Sequence, residues 1–138
     1  MKVRFWGVRG SIATPSPRHI AFGGNTSCIE IRAGNRLLIL DAGTGIRNLG
    51  NQLVKEDLSS FDILLSHTHW DHMNGFPFFT PAYNPACKIR IQAGHLIDQG
   101  GLKRVLSGQM TQPMFPVPLE AMNSQMDIED FRTGETLD

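Results

Sequence analysis

Three of the chain's five histidines and a carboxylate fall within seven residues, Ser66-His67-Thr68-His69-Trp70-Asp71-His72. Neutral imidazoles and a carboxylate are the donors that borderline cations such as zinc prefer. His67 and His69 are two residues apart, so their side chains leave an extended backbone on the same side. His69 and His72 are three apart, so one turn of helix brings them together. Both conditions hold if a strand gives way to a helix inside the motif. Four donors, His67, His69, Asp71 and His72, exceed what one tetrahedral ion takes from so tight a loop, and two ions are the natural reading. Any one of these residues alone reads as a solvated or capping residue; the complete string is what favours metal binding.

The elements that must position the motif are legible around it. Phe61-Asp62-Ile63-Leu64-Leu65 is a short aliphatic run of the kind that forms a buried strand, which places the candidate ligands at a strand's carboxyl end. Residues 2 to 6 alternate Val3 and Phe5 with Lys2 and Arg4 and read as a strand. Thr26 to Ile31 and Arg36 to Leu40 are two more, joined by Ala33-Gly34-Asn35 as a hairpin. Together these three predict an antiparallel meander. Asp41-Ala42-Gly43-Thr44-Gly45 ends the third strand, and Ile46, Leu49, Leu53 and Val54 then recur at helical spacing. Asp41 is therefore either a turn or capping aspartate or an acid that orients a ligand histidine. Lys88 to Ala93 alternates as a half-buried strand ending at Gly94-His95. His95 is a turn residue on the plainer reading and a ligand or proton donor on the other. Leu96 to Met110 predicts a helix weakened by Gly100-Gly101, and 119 to 138 a further strand or two.

Between the first two strands, residues 7 to 25 show no period and form a long loop carrying Arg9, Ser11, Arg18 and His19. Loops of that length in compact domains are usually functional or disordered. Arg9 or Arg18 could meet a substrate phosphate through its guanidinium. The segment Gly23 to Ser27 could offer the groups of Asn25, Thr26 and Ser27 to a phosphate, or could simply open the next strand. Gly75 to Pro85 holds three prolines and four aromatic residues and predicts no regular element; its rings wall a site or pack inward.

The string of ligands resembles the signature of the metallo-β-lactamase superfamily, and most of all its phosphodiesterase and ribonuclease Z-like branch. The similarity continues through Gly24-Asn25-Thr26-Ser27-Cys28, Leu40-Asp41-Ala42-Gly43-Thr44-Gly45-Ile46, Gly75-Phe76-Pro77-Phe78-Phe79, and Gln109-Met110 followed by Phe115-Pro116-Val117. The resemblance implies an α/β fold: a mostly antiparallel sheet with helices on one face, forming the first half of an αββα sandwich. Residues 1–138 would then be the amino-terminal part of one domain. It also implies two Zn2+ ions per intact site, with Mn2+ or Fe as alternatives. His67 and His69 would hold one ion, Asp71 and His72 the other, while Asp71 would also hold the attacking hydroxide and Asp41 would orient a ligand. The implied function is a hydrolase using a hydroxide shared by two metals, acting on phosphodiesters of cyclic-nucleotide or nucleic-acid origin. Acyl hydrolysis of a lactam, thioester or lactone is the alternative, and a non-catalytic metal-binding or interaction module is the alternative outside enzymes. The chain departs from the family pattern after His95, where the later histidine, aspartate, histidine series is missing. A complementing carboxy-terminal segment or a second copy is therefore an expected partner.

Composition narrows the rest. At 138 residues, with 41% hydrophobic and 19% charged, the chain suits one domain with a core of its own. Thirteen basic residues balance thirteen acidic ones, so no net field draws it to long nucleic acids or to a membrane. The residues from Met1 to Gly7 lack the apolar run of a signal peptide or a spanning helix, and a cytoplasmic location is the expectation. Cys28 and Cys87 are spaced as buried thiols rather than as a bridge or a metal site.

Overall fold

Alternating burial along each apolar run shows why the strands form where they do: one side chain in two reaches the core while its neighbours face outward. The computed structural model describes residues 1–137. Strands β1 (Lys2–Gly7), β2 (Cys28–Ala33), β3 (Arg36–Leu40), β4 (Ser60–Leu65), β5 (Lys88–Ala93) and β6 (Gln125–Asp130) form one sheet in chain order. Helices α1 (Gly45–Lys55), α2 (Trp70–Met73) and α3 (Leu102–Gln109) lie in the crossovers β3 to β4, β4 to β5 and β5 to β6.

The meander is present: β1 with β2 and β2 with β3 are antiparallel, and Gly34 takes φ +61 in the turn that pairs Ala33 with Arg36. The expectation of a mostly antiparallel sheet does not hold beyond it. Pairings β3 with β4, β4 with β5 and β5 with β6 are all parallel. The reason lies in the connections, since each carries a helix that returns the chain to the same edge before the next strand begins. The carboxyl ends of β3, β4, β5 and β6 consequently share one edge, the place where open α/β sheets hold ligands.

The predicted helix over 96–110 is divided. A 3-10 turn spans Ile97–Gln99, Gly100 and Gly101 follow at φ 91 and 84, and α3 starts at Leu102. The Asp130 carboxylate at the end of β6 accepts the Leu102 N–H with its two oxygens at 3.1 and 3.0 Å, so the helix is capped by a distant strand.

One sheet face carries the core. Ile39, Ile63, Ile89 and Ile91 from the strands meet Ile46, Leu49 and Leu53 of α1 and Leu102 and Leu106 of α3, with Phe76 and Phe79 between. The C-terminal end of α1 is fastened by charge. Arg32 of β2 pairs with Glu30 beside it and, at 2.7 Å, with Glu56. Glu30 also accepts the Trp6 indole N–H at 2.7 Å, and Arg4 lies 4.0 Å above the Trp6 ring. Glu30 is buried, so removing its carboxylate strands an indole N–H and part of a guanidinium charge. Glu30→Ala is expected to lower stability by about 3 kcal/mol in urea unfolding; a change under about 1 kcal/mol would show that the pair contributes little.

The opposite face is barer. In register across β1 to β4 it shows Val3, Phe5, Ile29, Ile31, Leu38, Leu40 and Leu64, with Phe5 63% and Val3 45% exposed.

Candidate metal centre

The backbone changes from strand to helix inside the histidine motif. β4 ends at Leu65, His69 is extended at φ −63, ψ 150, and α2 begins at Trp70. His67 Nε2 and His69 Nδ1 consequently face each other at 3.1 Å. Asp71 Oδ2 lies 3.3 Å from His72 Nε2. The His69–His72 neighbourhood expected from helical spacing takes another form: His72 donates its backbone N–H to the His69 carbonyl at 2.9 Å, while its ring packs on that of His67, with centroids 4.0 Å apart. His69 precedes the helix in extended conformation, so its ring is out of helical register.

Asp41 organises the imidazoles. It stands at φ +62, a left-handed conformation that aspartate tolerates better than most residues. Its carboxylate accepts four hydrogen bonds: from Ser27 Oγ at 2.8 Å, Ser66 N–H at 2.9 Å, Ser66 Oγ at 2.8 Å and His72 Nδ1 at 2.7 Å. Burial alone would raise this carboxyl; the donors from Ser66, His72 and Ser27 outweigh it and hold the group below the usual carboxylate range. With Nδ1 of His72 committed to Asp41, its Nε2 keeps the free lone pair. Ser66 extends the same logic to His67, because the hydroxyl that donates to Asp41 lies 3.1 Å from His67 Nδ1. His67 is lowered below its ordinary value by desolvation, then by His72 and His69, which favours the neutral ring that a cation needs.

Asp71 is held from the long loop. The Ser11 N–H donates to its Oδ2 at 2.8 Å, and this bond, against the opposing effect of burial, holds the carboxyl below its usual value. Ser11 itself sits at φ 65. Neither Ser66 nor Ser11 was given a role from sequence. A serine next to a candidate ligand is a faint signal for the first, and a backbone N–H donor leaves none for the second.

The other sequence candidates fall into place around these. Thr26 is fully buried, and its hydroxyl accepts the Thr44 N–H at 2.8 Å. Asn25 Oδ1 accepts from the Thr44 hydroxyl at 3.1 Å, and the Ser27 hydroxyl is committed to Asp41. The segment 25–27 therefore braces the Asp41 turn, and Thr26 has no surface for a substrate to touch. Arg9 donates to the Gly23 carbonyl at 2.9 Å and, with Ser27 and His72, lines a shallow hollow beside the centre. His19 is taken by Ser16 at 2.8 Å within its own turn. His95 is exposed, with Nε2 3.3 Å from the Thr68 hydroxyl, so the end of β5 abuts the motif. Cys28 and Cys87 are free and buried.

Zinc bonded to nitrogen at about 2.0–2.1 Å in a tetrahedron separates its donors by about 3.3 Å. The His67–His69 and Asp71–His72 pairs stand near that spacing, and both are of the right chemistry. Among the described residues no group of three or more His, Cys, Asp and Glu side chains is spaced for one ion. The chain itself therefore presents two pairs of donors rather than a complete shell for either ion.

Residues 21–118 match the family described as the metallo-beta-lactamase superfamily. Lactamase-like protein aptB of Emericella nidulans is 33% identical over 89 residues, covering 62% of this chain and 28% of that protein. The metallo-beta-lactamase fold protein YhfI from Bacillus subtilis superposes with a TM-score of 0.61 at 16% identity, over 99% of this chain and 47% of that one. A diphosphatase from the PhnP family gives 0.60 at 15% identity, over 94% and 50% respectively. Human tRNase Z, short form, gives 0.52 at 22% identity, over 85% and 44%. The chain spans about half the length of these structures, and the likeness to them shows a shared fold. With its family match extending through both the Asp41 turn and the histidine motif, the chain belongs to the metallo-beta-lactamase superfamily.

Proposed function

We propose that the chain contributes His67, His69, Asp71 and His72 to a two-zinc hydrolase centre that cleaves phosphodiesters of nucleotide or nucleic-acid origin. The observation that carries the reading is one buried carboxylate, Asp41, directing two imidazoles: His72 directly at 2.7 Å and His67 through Ser66. A structural aspartate needs no such pair, whereas metal-ligating histidines characteristically donate their second N–H to an acid. His67 and His69 would hold one ion, Asp71 and His72 the other. When bound, the ions supply Lewis acidity that lowers the pKa of water and offsets charge on a phosphoryl oxygen. Asp71, with Oδ2 fixed by Ser11, keeps its other oxygen to orient the attacking water. The phosphodiester class draws support from the diphosphatase and the tRNase Z among the fold's relatives. A formal net charge of zero favours a small phosphodiester over a long polyanion.

Two donors per ion fall short of the three that catalytic zinc takes from protein, so further ligands come from a complementing carboxy-terminal segment or a second copy. The bare sheet face through Val3, Phe5 and Ile31 is where such a partner would pack. The chain alone is then expected to self-associate at about 100 µM in sedimentation velocity, and Phe5→Ser to reduce that association. A strictly monomeric chain would count against the covering role. Free, buried Cys28 and Cys87 fit a cytoplasmic setting, and no helix among the described residues is long and apolar enough to cross a membrane.

Metal content measured together with turnover of bis-p-nitrophenyl phosphate tests the reading. About two zinc ions per chain and turnover abolished by chelation, once a longer chain or a second copy supplies the remaining ligands, support it. No bound zinc and no turnover would leave a non-catalytic module, and preference for p-nitrophenyl acetate would move the substrate to the acyl class.

A further inference from the structure

Beside the motif lies a hollow of about 390 Å³ that the metal chemistry does not use. Its wall includes Thr68 and Trp70 from the motif itself, Phe78, Gln109 near the end of α3, and Met114 and Phe115 beyond it. The size is that of a small-ligand pocket. Three aromatic rings line it, of which two are left open, Trp70 at 73% and Phe78 at 53% exposure, while Phe115 is half-buried; Met114 beside them is 68% exposed. Phe78 and Phe115 meet edge to face with centroids 5.9 Å apart, which sets two rings of the wall at fixed angles.

The wall is not purely apolar. Gln109 donates Nε2 to the Met73 carbonyl at 2.9 Å, which ties α3 to α2 and fixes the sense of the amide. Its Oε1 is then a buried acceptor with no partner among the described residues. Thr68 adds a hydroxyl on the motif side. An aliphatic chain filling the hollow would leave the Gln109 oxygen unmatched, whereas a flat heteroaromatic ring with N–H groups at its edge stacks on the rings and pairs with it. Thr68 lies between His67 and His69, so the hollow and the candidate metal centre share a wall.

We infer that this hollow is a nucleobase subsite, holding the base of a nucleoside phosphodiester against Trp70 while the phosphate reaches the histidine cluster. The inference rests on the phosphodiesterase reading and narrows it to nucleotide substrates. Its test needs no turnover. Adenosine, AMP, ribose 5-phosphate and inorganic phosphate are titrated calorimetrically into the metal-free chain, and zinc uptake is measured separately on the same preparation. Adenosine and AMP are expected to bind at least about tenfold more tightly than ribose 5-phosphate. Trp70→Ala is expected to weaken adenosine binding by about tenfold or more. Trp70 is largely solvent-exposed, so this variant keeps the fold, and circular dichroism verifies that it does. Met114→Glu, which places a charge at the mouth, is expected to weaken adenosine similarly. Equal binding of AMP and ribose 5-phosphate, no adenosine binding, or adenosine binding indifferent to both variants would overturn the subsite. A chain that takes up zinc but fails these titrations keeps the hydrolase reading and loses the subsite. A chain that passes them but takes up no zinc keeps the subsite and loses the metal centre.

Discussion

Replacing His67 by alanine is expected to weaken zinc binding by about 100-fold and to abolish turnover of a phosphodiester. Structural zinc sites with four ligands bind with roughly 10–16 kcal/mol, so each ligand accounts for about 3 kcal/mol, or a factor of about 100. His67 should show that effect in full. It is the ring that touches both halves of the centre, with Nε2 3.1 Å from His69 Nδ1 and its plane packed 4.0 Å from that of His72. His69→Ala, which removes an exposed ring at the rim, should cost less. Asp41→Asn should leave a folded chain, because asparagine also tolerates φ near +60, yet weaken zinc by about 10–100-fold through loss of the acceptor for His72. Equilibrium dialysis against zinc, with unfolding curves run in parallel, separates ligand loss from misfolding. Full zinc occupancy in His67→Ala would remove this residue from the ligand set.

Gly43→Ala is expected to disrupt both the fold and the candidate metal centre. A Cβ at Gly43 would lie 2.3 Å from the Asp71 carbonyl oxygen, 2.5 Å from Thr26 Oγ1 and 2.7 Å from the Ser27 carbonyl oxygen. Two of these are backbone atoms, so no side-chain rotation relieves the clash. The turn itself is tied down, with Gly43 N–H donating to the Ser27 carbonyl at 2.8 Å and Ala42 N–H to the His72 carbonyl at 2.7 Å. Either α2 moves, carrying Asp71 and His72 with it, or the Asp41 turn does. We expect a loss of at least about 3 kcal/mol together with loss of zinc binding. Gly108→Ala is the control: its Cβ meets nothing within 4 Å, it lies inside α3, and it should stabilise the chain by about 0.5–1 kcal/mol in the same urea titration. Gly43→Ala of unchanged stability would mean that the close packing of turn on helix is not required.

The parts of this architecture legible in the sequence are those that depend on near neighbours. Apolar runs and alternation located β1 to β5 to within a residue or two, left β6 as one or two strands somewhere in 119–138, and the Gly34 turn marked the hairpin between β2 and β3. The motif was visible because its side chains are chemically distinctive and close in sequence. Sheet direction was not, since whether β4 lies parallel to β3 depends on where α1 packs, and no local residue pattern reports that. The break at Gly100-Gly101 was half legible: two glycines weaken a helix anywhere, but capping by Asp130 joins positions 28 residues apart. The site shows the same division. His67, His69, Asp71 and His72 stand out by type and spacing in the sequence, whereas the Ser11 N–H that fixes Asp71 comes from 60 residues away. Asp41 lay between two readings on the sequence alone, and its hydrogen bonds to His72 and Ser66 are contacts that only the folded chain forms.

Anomalous diffraction at the zinc edge, from crystals of the chain equilibrated with zinc, shows whether these side chains hold zinc. Peaks are expected within bonding distance, about 2.0–2.1 Å, of the facing nitrogens of His67 and His69 and of the Asp71–His72 pair, with His72 Nδ1 still on Asp41. Zinc bound only elsewhere, with these rings still hydrogen-bonded to one another in its presence, would contradict that assignment.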